Sequence, residues 1–262
     1  MATGESPQLP AELIAALHAF AALPTVVVAS DFDGCLAPIV AHPTDARADP
    51  AAVAALVALA AVPATTTAIV SGRARADLAA LVAIAAPDRC GVALVGSHGT
   101  EFDDDFATRI TDAERALLAQ VAADLGEIAA QFPGTMVETK PASAVLHVRN
   151  AADRAHSDAA LELARRGPAT RPGVHVTEGK AVLELAVIET GKGHALDLLR
   201  AQSDADAVCY LGDDVTDENA FSHLRGSDIS IKVGDGNTIA RHRIAGPNLV
   251  GEVLRVLLEG RR

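Results

Sequence analysis

Short apolar runs alternate with stretches of helical spacing in the first hundred residues of this chain. Each run is rich in β-branched residues and too short for a typical helix, which indicates buried strands of a parallel sheet. The runs are residues 26–30, 67–70 and 92–95. Before and between them, apolar residues recur at helical spacing in residues 9–23, 50–61 and 75–83. The alternation predicts a parallel sheet with helices on both faces.

The pattern changes character near residues 103–105. A long amphipathic helix is predicted next, followed by two pairs of strand-like runs with a second helix between them. These helices are residues 112–131 and 151–166, and the strands are residues 135–140, 144–149, 174–177 and 181–187. The α/β alternation then resumes, with helices at residues 194–202, 217–224 and 248–258 and strands at residues 207–211 and 227–233. We therefore predict an α/β core, residues 1–103 and 189–262, with an αββαββ domain of residues 104–188 inserted into it.

Composition narrows the classes of partner. The net charge of −12 argues against a nucleic-acid partner, because phosphate backbones need a basic surface. The apolar residues 51–70 are divided by Pro63, so we predict no membrane span. Cys35, Cys90 and Cys209 form no Cys-x-x-Cys pair, and the N-terminus lacks the basic start of a signal peptide. These features predict a reduced, cytoplasmic protein.

Candidate chemistry begins where the first apolar run ends. The run is followed by Asp31, Phe32, Asp33 and Gly34, and the carboxyl ends of strands are where open α/β sheets hold their active sites. One carboxylate can attack phosphorus while the other moves a proton, so the pair suits phosphoryl transfer. A polar turn after a strand is the alternative interpretation of this segment by itself.

Three further segments favour the catalytic interpretation. They follow in chain order as a hydroxyl and glycine after a strand, a lysine between glycines, and a carboxylate cluster after a strand. The segments are residues 69–73, 190–193 and 208–218. Together with the Asp31 segment, they resemble the haloacid dehalogenase-like phosphohydrolase superfamily. In its position along the chain, the inserted domain resembles the cap of the C2B branch of that superfamily.

Within that branch, the chain resembles the trehalose-6-phosphate phosphatase family over about residues 26–240. The segments that carry this resemblance are residues 96–99, 137–141, 146–149, 178–184 and 212–218. The resemblance implies a Rossmann-like core with a cap and a Mg²⁺-dependent phosphatase that converts trehalose 6-phosphate to trehalose. The partner is then a small sugar phosphate, with neither nucleic acid nor membrane involved. Phosphatase or phosphomutase activity on another sugar or polyol phosphate is the nearest alternative, and a non-catalytic metabolite sensor is a more distant one.

The resemblance also implies roles for individual residues. Asp31 is the expected nucleophile, and Asp33 the general acid and base. Lys192 supplies a positive charge beside the phosphate. Ser71 and Gly72 are expected to donate hydrogen bonds to the phosphoryl oxygens. The expected Mg²⁺ ligands are the side chains of Asp31 and Asp213 and the backbone carbonyl of Asp33. The sugar-contacting candidates in the cap are Glu138, Lys140, Arg149, Glu178 and Glu184, although an exposed charged sheet face is the ordinary alternative.

Several roles stay open at this stage. Arg73 either contacts the phosphate or pairs with an acid of the core. His98 either lines the junction of the domains or satisfies the core. Asp214 and Asp217 lie near the metal in the family pattern, yet both also suit the capping of the helix that follows. Cys35 departs from the family pattern, which usually has Thr or Val there, and so lacks a hydroxyl that could support the site.

Overall fold

The structure is a computed structural model that describes residues 8–82, 91–99, 101–102, 110–140, 142–179, 181–189 and 191–262. Cys90 and the segment predicted to enter the inserted domain, residues 103–105, lie outside the described residues. The chain divides into two compact units. One comprises Met1–Phe102 and Gly191–Arg262, and the other comprises Asp103–Thr190.

The elements that the structure describes follow the predicted alternation. The helices are α1 Ala11–Ala21, α2 Pro50–Ala60, α3 Arg75–Val82, α4 Asp112–Gln131, α5 Arg154–Arg166, α6 Lys192–Ser203, α7 Val215–His223 and α8 Val250–Arg261. The strands are β1 Val26–Ser30, β2 Thr65–Val70, β3 Val92–Val95, β4 Met136–Thr139, β5 Ser143–His147, β6 His175–Gly179, β7 Val182–Ala186, β8 Ala207–Gly212, β9 Ile229–Val233 and β10 His242–Ile244. None of the helices in the described part of the chain has the length and apolar character needed to cross a bilayer.

The first unit contains a parallel sheet with the order β10-β9-β8-β1-β2-β3. Ser30 of β1 pairs with Ile69 of β2 on one side and with Leu211 of β8 on the other. The strands therefore end at the same level, and their following loops meet at one edge of the sheet. This is where open parallel sheets hold their ligands.

Helices cover this sheet because its central strands are buried along their whole length. All five residues of β1 are buried, and Val26 and Val28 belong to the apolar core formed with α1, α2 and α8. Val27 and Ala29 point to the opposite face, since side chains alternate along a strand. Helix α6 also contacts β1 and β2. Burial on both faces explains the continuous apolar runs of the sequence.

The second unit contains an antiparallel sheet with the order β4-β5-β7-β6. Its two faces differ in chemistry because the register alternates apolar and polar residues. Helix α4 packs on β4 and β5, and α5 packs on α4 and β7, where Ala144, Leu146, Leu183 and Leu185 are buried. The α/β core with its parallel sheet and the inserted αββαββ pattern are both confirmed.

Candidate active site

Asp31 extends β1 by one residue at the edge where the strands end. Its backbone N–H donates to the carbonyl of Leu211 in β8 at 2.8 Å, so the residue is still held by the sheet. The side chain is almost fully buried, and Oδ1 accepts from the Phe32 N–H at 2.7 Å. Gly34 then turns the chain away with a φ of +74°, a conformation that favours glycine. The local backbone thus fixes the Asp31 carboxylate before any ligand arrives.

Lys192 is the first residue of α6 and lies between two buried carboxylates. Its Nζ is 2.7 Å from Oδ2 of Asp31 and 2.8 Å from Oδ1 of Asp217. Burial by itself would lower the pKa of Lys192. The two carboxylates together have the larger effect, so the pKa of Lys192 is raised. Burial likewise raises the pKa of Asp31 to about 7, although Lys192 acts in the opposite direction. The lysine is therefore a permanent positive charge beside the Asp31 carboxylate.

Asp217 is fully buried and accepts four hydrogen bonds. Oδ1 accepts from Lys192 at 2.8 Å and from the Tyr210 hydroxyl at 2.7 Å. Oδ2 accepts from the backbone N–H groups of Asp213 and Asp214, each at 2.9 Å. Burial disfavours its charge, but Lys192 and these donors lower the pKa of Asp217. The carboxylate orients both the lysine and the loop that follows β8.

Asp214 and Asp217 both cap α7, as one of the sequence alternatives expected. The Asp214 side chain accepts from the Val215 N–H, and Asp217 occupies the third helical position of a capping box. The helix accordingly begins at Val215, two residues before the predicted start. The hydrogen bonds that Asp217 accepts from the main chain therefore both cap α7 and hold the loop that carries Asp213.

Asp213 brings a third carboxylate to this cluster. Oxygen atoms of Asp31, Asp213 and Asp217 lie within 4.8 Å of one another. Gly34 leaves the space for Asp213, because a Cβ added at that glycine would lie 1.9 Å from Oδ2 of Asp213. Burial, and then the charge of Asp217, raise the pKa of Asp213 to about 6.

This donor set fits Mg²⁺, which prefers carboxylate and carbonyl oxygens. The number of lone pairs that are not already used in hydrogen bonds decides which carboxylates are best placed to bind Mg²⁺. Both oxygens of Asp217 already accept two hydrogen bonds each, whereas each oxygen of Asp31 has one charged or N–H partner. Asp31 and Asp213 are therefore the better-placed ligands, and Asp217 supports them.

Ser71 and Gly72 follow β2 at the same edge. The Ser71 N–H donates to the carbonyl of Val95 at 2.9 Å, and its side chain is buried. The ring of His98 packs on Gly72, where an added Cβ would lie 2.4 Å from Cε1 of the imidazole. His98 therefore lies against the loop that is predicted to bind phosphate.

Arg73 pairs with Asp33, one of the two roles that the sequence left open. Its Nε and Nη2 donate to the two carboxylate oxygens of Asp33, both at 2.6 Å. Nη1 donates to the carbonyl of Pro43 at 2.9 Å, and the guanidinium lies 5.4 Å from the centroid of the Phe32 ring. The hydrogen bonding of Arg73 to Asp33 is the main cause of the raised pKa of Arg73. These contacts hold the Asp33 carboxylate in one orientation.

Cys35 is buried close enough to the carboxylates of Asp31, Asp213 and Asp217 to be affected by their charges. Burial, and then the charge of Asp31, raise the pKa of its thiol well above the ordinary value. A neutral buried thiol is a poor nucleophile, so its role is packing.

The second unit brings together some of the predicted sugar-contacting residues but not all. The register places Glu138, Ser143, His147 and Glu184 on the sheet face opposite the helices. Glu138 contacts His147 at 2.8 Å. Glu184 accepts from the Ser143 hydroxyl at 2.6 Å and from Lys140 at 3.3 Å. These five residues form the polar sheet face of this unit.

Glu178 departs from the expectation drawn from the sequence. It lies opposite the buried Leu183 and so points to the helix-covered face. There it makes a two-pronged pair with Arg165 of α5, at 2.7 and 2.8 Å. Arg149 is exposed in the turn after β5.

The structure adds residues to the candidate sites that the sequence reading missed. Tyr210 and Lys232 support the Asp213–Asp217 loop, and Ser143 and His147 support the polar sheet face. Tyr210 interrupts an otherwise apolar buried strand, and Lys232 is the one charged residue of the buried strand β9. A polar or charged residue inside a buried strand was the sequence signal that could have identified Tyr210 and Lys232.

Comparison with known proteins agrees with this geometry. The family model described as Trehalose-phosphatase matches residues 29–247. The chain is 37% identical to the trehalose-phosphate phosphatase of Mycobacterium marinum, over 88% of this chain and 60% of that protein. It is 34% identical to the trehalose-6-phosphate phosphatase of Escherichia coli, over 82% of this chain and 80% of that protein. The chain thus spans about 60% of the length of the mycobacterial relative.

A solved structure matches the chain over the residues of both units. The trehalose-6-phosphate phosphatase of Aspergillus fumigatus matches with a TM-score of 0.72 at 25% identity. The match covers 97% of this chain and 99% of that one. The likeness therefore extends over the core sheet and the inserted antiparallel sheet.

Proposed function

Because this chain belongs to the trehalose-phosphatase family, we propose that it hydrolyses trehalose 6-phosphate to trehalose and phosphate in trehalose biosynthesis. One observation carries the proposal. The matched residues include both Asp31 and Asp217, and these two carboxylates flank the Lys192 ammonium. A buried carboxylate beside a fixed positive charge suits attack on an anionic phosphate ester.

Asp31 is the proposed nucleophile. Its carboxylate oxygen attacks phosphorus, so that an O–P bond forms to Asp31 while the bond from phosphorus to the sugar oxygen breaks. Asp33, in its protonated form and released from the pair with Arg73, gives a proton to the departing sugar oxygen. It then accepts a proton from the water that attacks phosphorus, which releases phosphate and restores the Asp31 carboxylate. Arg73 holds the Asp33 carboxylate in place when no substrate is bound.

Lys192, Ser71 and Gly72 are proposed to stabilise the charge on the transferring phosphoryl group. The ammonium of Lys192 is fixed between two carboxylates and needs no rearrangement as charge develops. The hydroxyl of Ser71 and the N–H of Gly72 lie on the loop after β2, next to Arg73. Their donors would bind the phosphoryl oxygens.

Magnesium is the proposed cofactor, held by the side chains of Asp31 and Asp213 and by the backbone carbonyl of Asp33. When bound, it supplies positive charge that offsets the phosphoryl oxygens. The observation in favour is the group of carboxylate oxygens within 4.8 Å, with Asp213 seated over Gly34.

The polar sheet face is proposed to recognise the sugar. Glu138, Lys140 and Glu184 offer charged hydrogen-bonding groups for the hydroxyls of a disaccharide, and Arg149 lies at the end of the same strand pair. Charged partners make strong hydrogen bonds, and a wrong sugar would leave them unpaired.

A phosphate-release assay with a substrate panel tests this function. Purified protein is given trehalose 6-phosphate, sucrose 6-phosphate, glucose 6-phosphate and mannose 6-phosphate, each with Mg²⁺ or with excess chelator. We expect the highest kcat/KM for trehalose 6-phosphate and no turnover in chelator. A higher kcat/KM for another sugar phosphate would replace the substrate. Transfer of phosphate within a sugar, without phosphate release, would indicate a mutase, and no turnover on any substrate would favour a sensor.

A further inference from the structure

Lys232 is a buried lysine to which the chemistry proposed above gives no role. It lies in β9, whose other members are Ile229, Ser230, Ile231 and Val233, and only 4% of it is exposed. A charged group is costly to bury unless it is paired and hydrogen-bonded. Its Nζ donates a hydrogen bond to the backbone carbonyl of Asp213. The lysine therefore binds the main chain of a proposed magnesium ligand.

The peptide groups on either side of Asp213 are held by buried charged groups. The N–H of Asp213 donates to the fully buried carboxylate of Asp217 at 2.9 Å. Its carbonyl accepts from Lys232. The Cα of Asp213 is consequently fixed between two anchors that come from different elements, α7 and β9. Its side chain extends from this fixed backbone into the space that Gly34 leaves open.

We propose that Lys232 is a positioning residue for the magnesium site, acting through the main chain of Asp213. By fixing this peptide, it keeps the Asp213 carboxylate near that of Asp31. This inference rests on the metal dependence in the proposed function. It adds a specific requirement: metal affinity depends on a lysine that does not itself bind the metal.

Two simpler roles for Lys232 predict different effects on metal binding. If the lysine mattered only through its positive charge, its removal would strengthen Mg²⁺ binding, because like charges repel. If it only stabilised the fold, its removal would change thermal stability but not the affinity of the folded protein for metal. A positioning role predicts weaker binding.

The test compares the Lys232→Met variant with the otherwise identical wild-type protein. Met keeps the length and apolar stem but removes the donor and the charge. Magnesium affinity is measured by isothermal titration calorimetry without substrate, and thermal stability by calorimetric unfolding. We expect the Kd for Mg²⁺ to rise about tenfold, as for other groups that orient metal ligands. The Mg²⁺ concentration for half-maximal activity should rise similarly, with kcat largely recovered at saturating Mg²⁺.

Arg200→Met is the matched control. Arg200 also pairs through a charged group with the β9 region, because it binds the buried Asp228 that immediately precedes the strand. The Arg200→Met substitution should lower thermal stability without changing the Kd for Mg²⁺. Should Lys232→Met fail to fold, Lys232→Gln replaces the ammonium with a neutral amide on a shorter side chain. This amide falls short of the Asp213 carbonyl, so the same loss of affinity is expected.

The outcomes separate this inference from the proposed function. Wild type that binds Mg²⁺, with an equal or lower Kd in the Lys232 variants, would overturn the positioning role alone. Wild type that binds no Mg²⁺ would overturn the metal site and the positioning role together. Weaker binding in the Arg200 variant as well would show a general effect of stability and would also refute the inference.

Discussion

Glu184 and Glu178 form a natural pair for testing whether the polar sheet face binds the sugar. They lie on neighbouring strands of one hairpin but point to opposite faces. Glu184 accepts from Ser143 and Lys140 on the polar sheet face, and its side chain is 18% exposed. Glu178 is bound to Arg165 on the helix side. We predict that Glu184→Gln impairs hydrolysis of trehalose 6-phosphate and that Glu178→Gln does not.

The size of the effect follows from the contacts that each residue makes. A hydrogen bond to a charged group contributes about 1.5–3 kcal/mol. Loss of one sugar contact at Glu184 should therefore lower kcat/KM roughly 10- to 150-fold. The pair formed by Glu178 is exposed, with 55% of its carboxyl side chain accessible, so its loss should cost only about 0.2–1 kcal/mol of stability.

The assay measures kcat/KM for each variant on trehalose 6-phosphate and on p-nitrophenyl phosphate. The small substrate has no sugar, so its hydrolysis should be almost unchanged in both variants. Circular dichroism checks that both variants fold. Equal losses on the two substrates for Glu184→Gln, or a loss on trehalose 6-phosphate for Glu178→Gln as large as for Glu184→Gln, would refute the assignment of the polar sheet face.

Three further predictions concern the core. Gly34→Ala should raise the Mg²⁺ concentration for half-maximal activity at least about tenfold with the fold intact, because its Cβ would overlap Asp213; an unchanged Mg²⁺ titration would contradict this. Arg73→Ala should lower kcat/KM roughly 10- to 150-fold because Asp33 loses two charged hydrogen bonds, and steady-state kinetics equal to wild type would exclude a role for that pair. Arg261→Met should reduce the free energy of unfolding by about 1–3 kcal/mol without changing kcat, because the guanidinium binds several backbone carbonyls before β1 and β2; denaturant unfolding gives the answer, and an unchanged midpoint would count against it.

Much of the fold could be predicted because its strongest local signals agree with its tertiary structure. The β-branched run of β1 is buried on both faces, as a central parallel strand should be. The helix α4 has the predicted bounds, since Thr111 and Glu114 form a capping box at its start. The shared level of the strand ends then brings Asp31, Ser71 and Asp213 to one edge, although they are far apart in sequence.

Other features depend on tertiary contacts that local pattern does not record. Strand β10 is only three residues long, and its sequence of His242, Arg243 and Ile244 has little strand character; its pairing with β9 defines it. The strand predicted over residues 174–177 ends before Glu178, yet β6 continues to Gly179, so the register with β7 decides which way Glu178 points. The contact between Lys232 and Asp213 likewise joins separate elements and has no signal besides a polar residue in a buried strand.

The proposed reaction depends on attack of the Asp31 carboxylate on phosphorus, which leaves the phosphoryl group on Asp31. The most direct measurement is to stop the reaction with trehalose 6-phosphate rapidly, reduce the protein with borohydride and map the product by mass spectrometry. An acyl phosphate at Asp31 is reduced to homoserine, so we expect homoserine at position 31. It should depend on substrate and be absent from folded, inactive Asp31→Asn. Reduction at another carboxylate, or near-wild-type turnover by folded Asp31→Asn, would contradict the account.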